Sequence, residues 1–150
     1  TGDRETPLDA LTSQAELFVA ERNERFARVM SGGMRDYEAW DEVRAFKTAL
    51  FDKVPKGADV VEIGIGSAPN LQYYSPRAKR VRAVEPNPAF YDLADFQARA
   101  EGATLDIVRG VAEEMPFADE SVDFVVGTMV LCSVRSVPRA LAEIHRVLKP

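Results

Sequence analysis

The run Val60-Val61-Glu62-Ile63-Gly64-Ile65-Gly66 constrains this chain most. A short β-branched stretch ending in glycine is the pattern of a strand buried on both faces. Two glycines one residue apart then let the backbone turn sharply and approach a ligand with no Cβ in the way. A strand of this kind needs parallel neighbours, and the sequence after it supplies them. Arg80–Val84, Thr104–Arg109 and Val122–Gly127 read as three further strands. Pro69 can open a short helix that Ser75-Pro76 ends, and Asn87 caps a helix from Pro88 with Phe90, Leu93, Ala94 and Gln97 inward. Ser136 caps a last helix with Val137, Leu141, Ile144 and Leu148 inward. This alternation predicts an α/β fold, a parallel sheet with helices on both faces.

Residues 1–57 read as a helical lead-in. Leu11, Ala15, Phe18, Phe26 and Val29 follow a helical period that Arg22 interrupts and Ser31-Gly32-Gly33 is expected to break. A second helix places Tyr37, Trp40, Val43, Phe46, Leu50, Phe51 and Val54 on one face, and Pro55-Lys56-Gly57 closes it. Residues 58–150 then form the sheet domain. The chain stops at Leu148-Lys149-Pro150, where another strand is expected, and so reads as the first part of a longer domain. Otherwise a protein partner would have to cover the apolar edge around Val125 and Val126.

Composition removes several function classes. The 150 residues suit one modest domain, and 46% hydrophobic residues suffice for a core. Basic and acidic residues number 9 and 11 before Gly57, and 10 and 13 from it onward. No basic arm exists to grip nucleic acid or anionic lipid. Apolar runs fall far short of the ~20 residues of a membrane-spanning helix. The single cysteine, Cys132, cannot form an internal disulfide, which suits a reducing compartment. It is expected to be a small buried thiol without a reactive role. One histidine, His145, on the last helix near its carboxyl end, and one cysteine cannot build a structural zinc site, so no metal is expected.

Glu85 gives the glycine turn its chemical sense. It ends the second strand, 21 residues beyond Gly64, where a carboxylate can accept hydrogen bonds from both hydroxyls of a ribose. A dinucleotide fingerprint G-x-G-x-x-G would need glycine at position 69, and Pro69 stands there, which argues against a nicotinamide oxidoreductase.

Val61-Glu62-Ile63-Gly64-Ile65-Gly66-Ser67 resembles the first motif, acid-x-G-x-G-x-G, of class I S-adenosylmethionine-dependent methyltransferases, with Ala68 at the third glycine. The resemblance continues through Val84-Glu85-Pro86-Asn87, Gly110–Phe117, Ser121–Gly127 and Glu143–Pro150, so it covers residues 58–150. Gly127-Thr128-Met129-Val130-Leu131-Cys132-Ser133-Val134 is similar to methyltransferase-like proteins related to animal thiol S-methyltransferases, and Gly-Ile-Gly-x-x-Pro-Asn to their plant and algal relatives. That variant implies an organelle interior such as a plastid, besides the cytoplasm, as the compartment.

The resemblance implies a Rossmann-like fold, of which this chain would hold the first four strands, and S-adenosylmethionine as cofactor. It implies that Glu62, with Gly64, Gly66 and Ser67, holds the methionyl end of the cofactor and Glu85 the ribose. Pro86 and Asn87 would line the adenine side, and Ala112 and Glu113 would meet the adenine edge. Val111 stands where many relatives carry Asp. Thr128 and Met129 would lie near the sulfonium and the incoming nucleophile. Tyr37 either covers the cofactor or joins the face of Trp40, Val43 and Phe46. No general base is assigned, because a thiolate attacking a sulfonium needs none. Two functions stay open. One is methyl transfer to a small-molecule acceptor such as a thiol, and the other is a non-catalytic methyltransferase-like subunit of a larger, organellar assembly.

Overall fold

The computed structural model describes residues 7–74 and 80–150, without the side chains of residues 7–15. Ser75-Pro76 and the side chains of Leu11 and Ala15 therefore lie outside the described residues. Two helices, α1 (Pro7–Glu38) and α2 (Asp41–Phe51), precede the sheet. The sheet is built from β1 (Asp59–Ile63), β2 (Arg80–Val84), β3 (Leu105–Val108) and β4 (Phe124–Gly127). Between and after these strands come α3 (Leu71–Tyr74), a 3-10 turn at Pro88–Phe90, α4 (Tyr91–Glu101) and α5 (Val137–Val147).

All strand pairings are parallel, in the order β3-β2-β1-β4. The chain therefore runs outward from β1 to β3 and then returns to the other side of β1. The register pairs Ile63 with both Val84 and Gly127, and Val84 with Val108, so all four strands end flush on one rim. A reversal of strand order beside β1 opens a crevice at that rim, where such sheets bind their ligands.

The alternation of side chains along β1 divides the core. Val60 points to one face with Val81, Ala83 and Val126, against Phe51, Val54, Leu71, Tyr74, Ala94 and Ala98 of the flanking helices and turns. Val61 and Ile63 point to the other, with Ala112, Met115, Val122, Ala140 and Val147. Helices thus cover both faces, as the alternation predicts. Past α5, Leu148 bridges in parallel to Val122, and the Lys149 N–H donates to the Val122 carbonyl at 2.9 Å. Among the described residues no helix is long and apolar enough to cross a membrane.

Four expectations are corrected. Ser31-Gly32-Gly33 does not break the first helix, which runs on to Glu38. Two glycines cost a helix about 2 kcal/mol, but the last turn is anchored by Glu38, which pairs with Lys47 and accepts from the Tyr73 hydroxyl at 2.9 Å. The buried stripe of α2 is Val43, Lys47 and Phe51, while Phe46 and Trp40 are 70% and 61% exposed. The inward face of α5 carries Ala140 and Val147, with Ile144 half-buried, and leaves Val137 and Leu141 exposed. On α4 it is Ala94 and Ala98 that are buried, and Leu93 faces out.

Candidate functional site

The turn after β1 adopts the conformation its glycines permit. Gly64 and Gly66 have φ of +69° and +54°, in the left-handed region that side chains disfavour. The space over Gly66 is open, whereas a Cβ on Gly64 would come within 2.6 Å of Val130 Cγ2. Ala68, where the resemblance expects a third glycine, also sits at φ +60° and is fully buried. A methyl group is therefore accommodated at the cost of a strained backbone, of order 1–2 kcal/mol. Ser67 is half-buried within the same turn.

Glu85 lies directly beneath this turn. Its Oε2 accepts from the Gly66 N–H at 3.0 Å and its Oε1 from the Asn87 N–H at 2.8 Å. Burial pushes its carboxyl above the ordinary range, and the two backbone donors hold it partly back. Each carboxylate oxygen has room for a second donor, so the pair of oxygens can still receive two hydroxyls. Asn87 is buried: its Oδ1 accepts from the Ala89 N–H at 3.1 Å, and its Nδ2 donates to the Asn23 carbonyl of α1 at 3.1 Å. Pro86 is exposed beside it.

Glu62, the second-last residue of β1, is a fully buried carboxylate. Its Oε1 accepts from Asn70 Nδ2 at 2.6 Å, and the same amide nitrogen donates to Thr128 Oγ1 at 2.9 Å. Asn70 Oδ1 in turn accepts from Lys47 Nζ at 2.7 Å, and Lys47 pairs with Glu38. Glu62 Oε2 and the Tyr74 hydroxyl are buried side by side without a well-formed hydrogen bond, and the hydroxyl still draws on the carboxyl. Burial raises the Glu62 carboxyl to about 7, against the lowering pull of Asn70, Tyr74 and Lys47. Glu62 stands at the carboxyl end of β1, next to the glycine turn and the ligand rim. Together with the open space over Gly66, it fits the ammonium end of an amino-acid-like ligand.

On the far side of the rim, Ala112 is buried against the second core face. The Glu113 side chain does not stand free, since its Oε1 accepts from the backbone N–H groups of Arg135 and of Ser136 at the start of α5. Burial works to raise its carboxyl, but those N–H groups outweigh it and hold it below the ordinary value. Val111 is exposed. Thr128 is half-buried on the Asn70 amide, and exposed Met129 has φ +53°, a strained position for a side chain with this bulk. Cys132 is exposed rather than buried as expected, donating its thiol toward the Met129 carbonyl at 3.3 Å, while Val130 and Val134 on either side of it take the places against the core.

An open and mostly apolar pocket of about 290 Å3 adjoins Thr128 and Met129, lined also by Tyr37, Val43, Phe46, Lys47, Leu50 and Gly127. Tyr37 stands on it at the end of α1, with its ring centroid 5.7 Å from that of Trp40. Among the described residues no cluster of His, Cys, Asp and Glu could hold a metal ion. Lys47, Asn70 and Glu38 went unassigned in the sequence. The available signal was a lysine at i+4 from Val43 and i−4 from Phe51, on the stripe a helix buries.

A family described as "Methyltransferase domain" matches residues 61–150. Rat (Rattus norvegicus) thiol S-methyltransferase TMT1B is 37% identical over 122 residues, covering 75% of this chain and 49% of its own. Human (Homo sapiens) thiol S-methyltransferase TMT1A is 41% identical over 120 residues, covering 73% and 48%. The chain thus spans about half the length of these curated relatives. The crystal structure of the YcgJ protein from Bacillus subtilis superposes with a TM-score of 0.64 over 70% of this chain and 47% of that one, at 24% identity, which speaks for the fold alone.

Proposed function

The chain belongs to the methyltransferase-domain family, and from that premise we propose that it binds S-adenosylmethionine at the β1–β2–β4 rim and serves methyl transfer to a small apolar thiol. The observation that carries this is the buried Glu85 carboxylate, held under the Gly64–Gly66 turn with acceptor capacity to spare. When bound, the cofactor supplies a methyl group already activated on a sulfonium. Glu62 and the open turn at Gly66 receive the methionyl end. Glu85 receives the ribose hydroxyls, Pro86 and Asn87 flank the adenine, and Ala112 and Glu113 contribute backbone at its edge. Ser67 closes the turn. The helices of residues 1–57 act as a cap, and residues 58–150 as the cofactor-binding part.

Thr128 and Met129 place the pocket next to the rim, so an acceptor seated there is brought into line with the donor. Alignment of this kind supplies up to ~7–11 kcal/mol of rate enhancement. Among the described residues, the pocket walls are chiefly hydrocarbon, and Lys47 is the only charged residue that lines them. Such a wall suits an apolar thiol that attacks as its thiolate and needs no strong base. The names of the animal relatives point the same way. No feature of the site favours the non-catalytic alternative.

The test is a transfer assay on the full-length protein with isotopically labelled S-adenosylmethionine, offering alkyl thiols and the matched alcohols and amines. Labelled thioethers from the thiols alone are expected. Turnover confined to the alcohols or amines would reject the thiol, and no turnover with any acceptor class would reject the transfer.

A further inference from the structure

Lys47 is a cation where a helix should bury a hydrocarbon. It occupies the inward stripe of α2 between Val43 and Phe51 and is 4% exposed. Its ammonium pairs with Glu38 of α1 and donates to Asn70 Oδ1 at 2.7 Å, while standing 5.9 Å from the Tyr73 ring centroid. Burying a charge in this way is tolerated only where every partner is well placed. The partners come from three segments of chain: the end of α1, the glycine turn and α3.

Asn70 is the link. An amide has one oxygen and one nitrogen to present, and rotation by 180° exchanges them. Here the oxygen faces a group that can only donate, Lys47, and the nitrogen faces Glu62 Oε1 and Thr128 Oγ1. Lys47 thereby forbids the exchanged orientation, which would aim the amide N–H groups at an ammonium and the oxygen at a carboxylate. With Asn70 so fixed, Glu62 Oε1 is engaged, while Oε2 stands beside the Tyr74 hydroxyl.

We propose that Lys47 is a positioning residue for the methyl-donor site, locking the Asn70 amide so that it ties Glu62 to Thr128 and holds the Glu62 carboxyl in place for the cofactor's ammonium. This rests on the methyl-donor assignment above. It adds that the lead-in helices complete the site electrostatically and do not merely cover it. The groups facing the Glu62 carboxyl are Asn70 and Tyr74 from the turn and α3, and Lys47 from α2, with Glu38 behind Lys47.

The experiment compares the full-length wild-type protein with Lys47→Met and Lys47→Arg, each first checked for a cooperative thermal transition. Two readouts are taken: the Kd of S-adenosylmethionine against pH by calorimetry, and the titration of the Glu62 carboxyl by 13C NMR without ligand. Lys47→Met is expected to weaken binding at pH 7 by tenfold or more. It should also move the Glu62 titration, and with it the acid limb of the binding profile, to higher pH. Lys47→Arg keeps the charge but not the compact ammonium, so its titration should stay in place while binding weakens at least threefold. If the methionine variant does not fold, the arginine variant decides alone, and a weakening of less than threefold overturns the assignment. A folded methionine variant with an unmoved Glu62 titration overturns it as well. Wild-type protein that binds no S-adenosylmethionine would instead reject the methyl-donor assignment itself, and the ligand-free titration would still report on the lock.

Discussion

A carboxyl buried on one face of a strand should weigh on the stability of the ligand-free protein, and Glu62 makes that weight measurable. Its carboxyl titrates near 7 in the folded protein, against an ordinary value of 4.5, with burial as the main cause. Below pH 4.5 both folded and unfolded chains hold the proton, and no cost arises. Between 4.5 and 7 the unfolded chain releases its proton while the folded one keeps it, so stability falls as pH rises. Above 7 the folded form must carry a buried charge, and the cost levels off. At about 1.4 kcal/mol per pH unit, this interval amounts to about 3 kcal/mol. Glu62→Gln keeps the Oε1 acceptor for Asn70 and removes the charge. It should therefore be more stable than wild type by about 3 kcal/mol at pH 8 and nearly equal at pH 4.5. Urea titrations followed by circular dichroism at the two pH values give that difference directly, and the other titrating groups cancel in it. The Tm gap at pH 8 should be about 6–12 °C. A glutamine variant equal to or less stable than wild type at pH 8 would refute the burial cost, while its binding of S-adenosylmethionine should be lost.

Three further substitutions probe the turn. Gly64→Ala forces a Cβ against Val130 at a left-handed φ and should cost at least about 2 kcal/mol; adding Val130→Ala should return about 1 kcal/mol in a denaturation cycle. Ala68→Gly relieves a left-handed alanine but removes a buried methyl, so its stability should change by between 0 and about +1 kcal/mol, and a loss above 1 kcal/mol would contradict the strain. Asn87→Ala removes the cap on Ala89 and the tie to Asn23, for an expected loss of about 1–2 kcal/mol by chemical denaturation.

The sheet was legible because its signals are local. β-branched runs, the glycine turn, and Asn87 and Ser136 as caps each act within a few residues, and the structure uses them at those positions. What escaped was set by partners far along the chain. Gly32-Gly33 reads as a break because propensity is weighed residue by residue, whereas the helix is held by Glu38 on Lys47 and Tyr73. Phe46 reads as core and Lys47 as surface because hydrophobicity ranks them so. The structure reverses the two: Phe46 stands on the wall of an open pocket, and Lys47 meets Glu38 and Asn70. Glu85 was legible from its spacing to Gly64, and the hydrogen bond from Gly66 gives that spacing its physical reason. The role of Glu113 at α5 was not, since its partners lie 22 and 23 residues away.

The most direct test is a calorimetric titration of S-adenosylmethionine into the full-length protein and into Glu85→Ala. The geometry predicts micromolar binding by wild type. In the variant, loss of a carboxylate that accepts two backbone N–H groups and is proposed to receive the ribose should weaken binding by about 10- to 150-fold. Well-folded wild-type protein that takes up no ligand, or a variant that binds as tightly, would contradict a cofactor site at the Gly64–Gly66 turn.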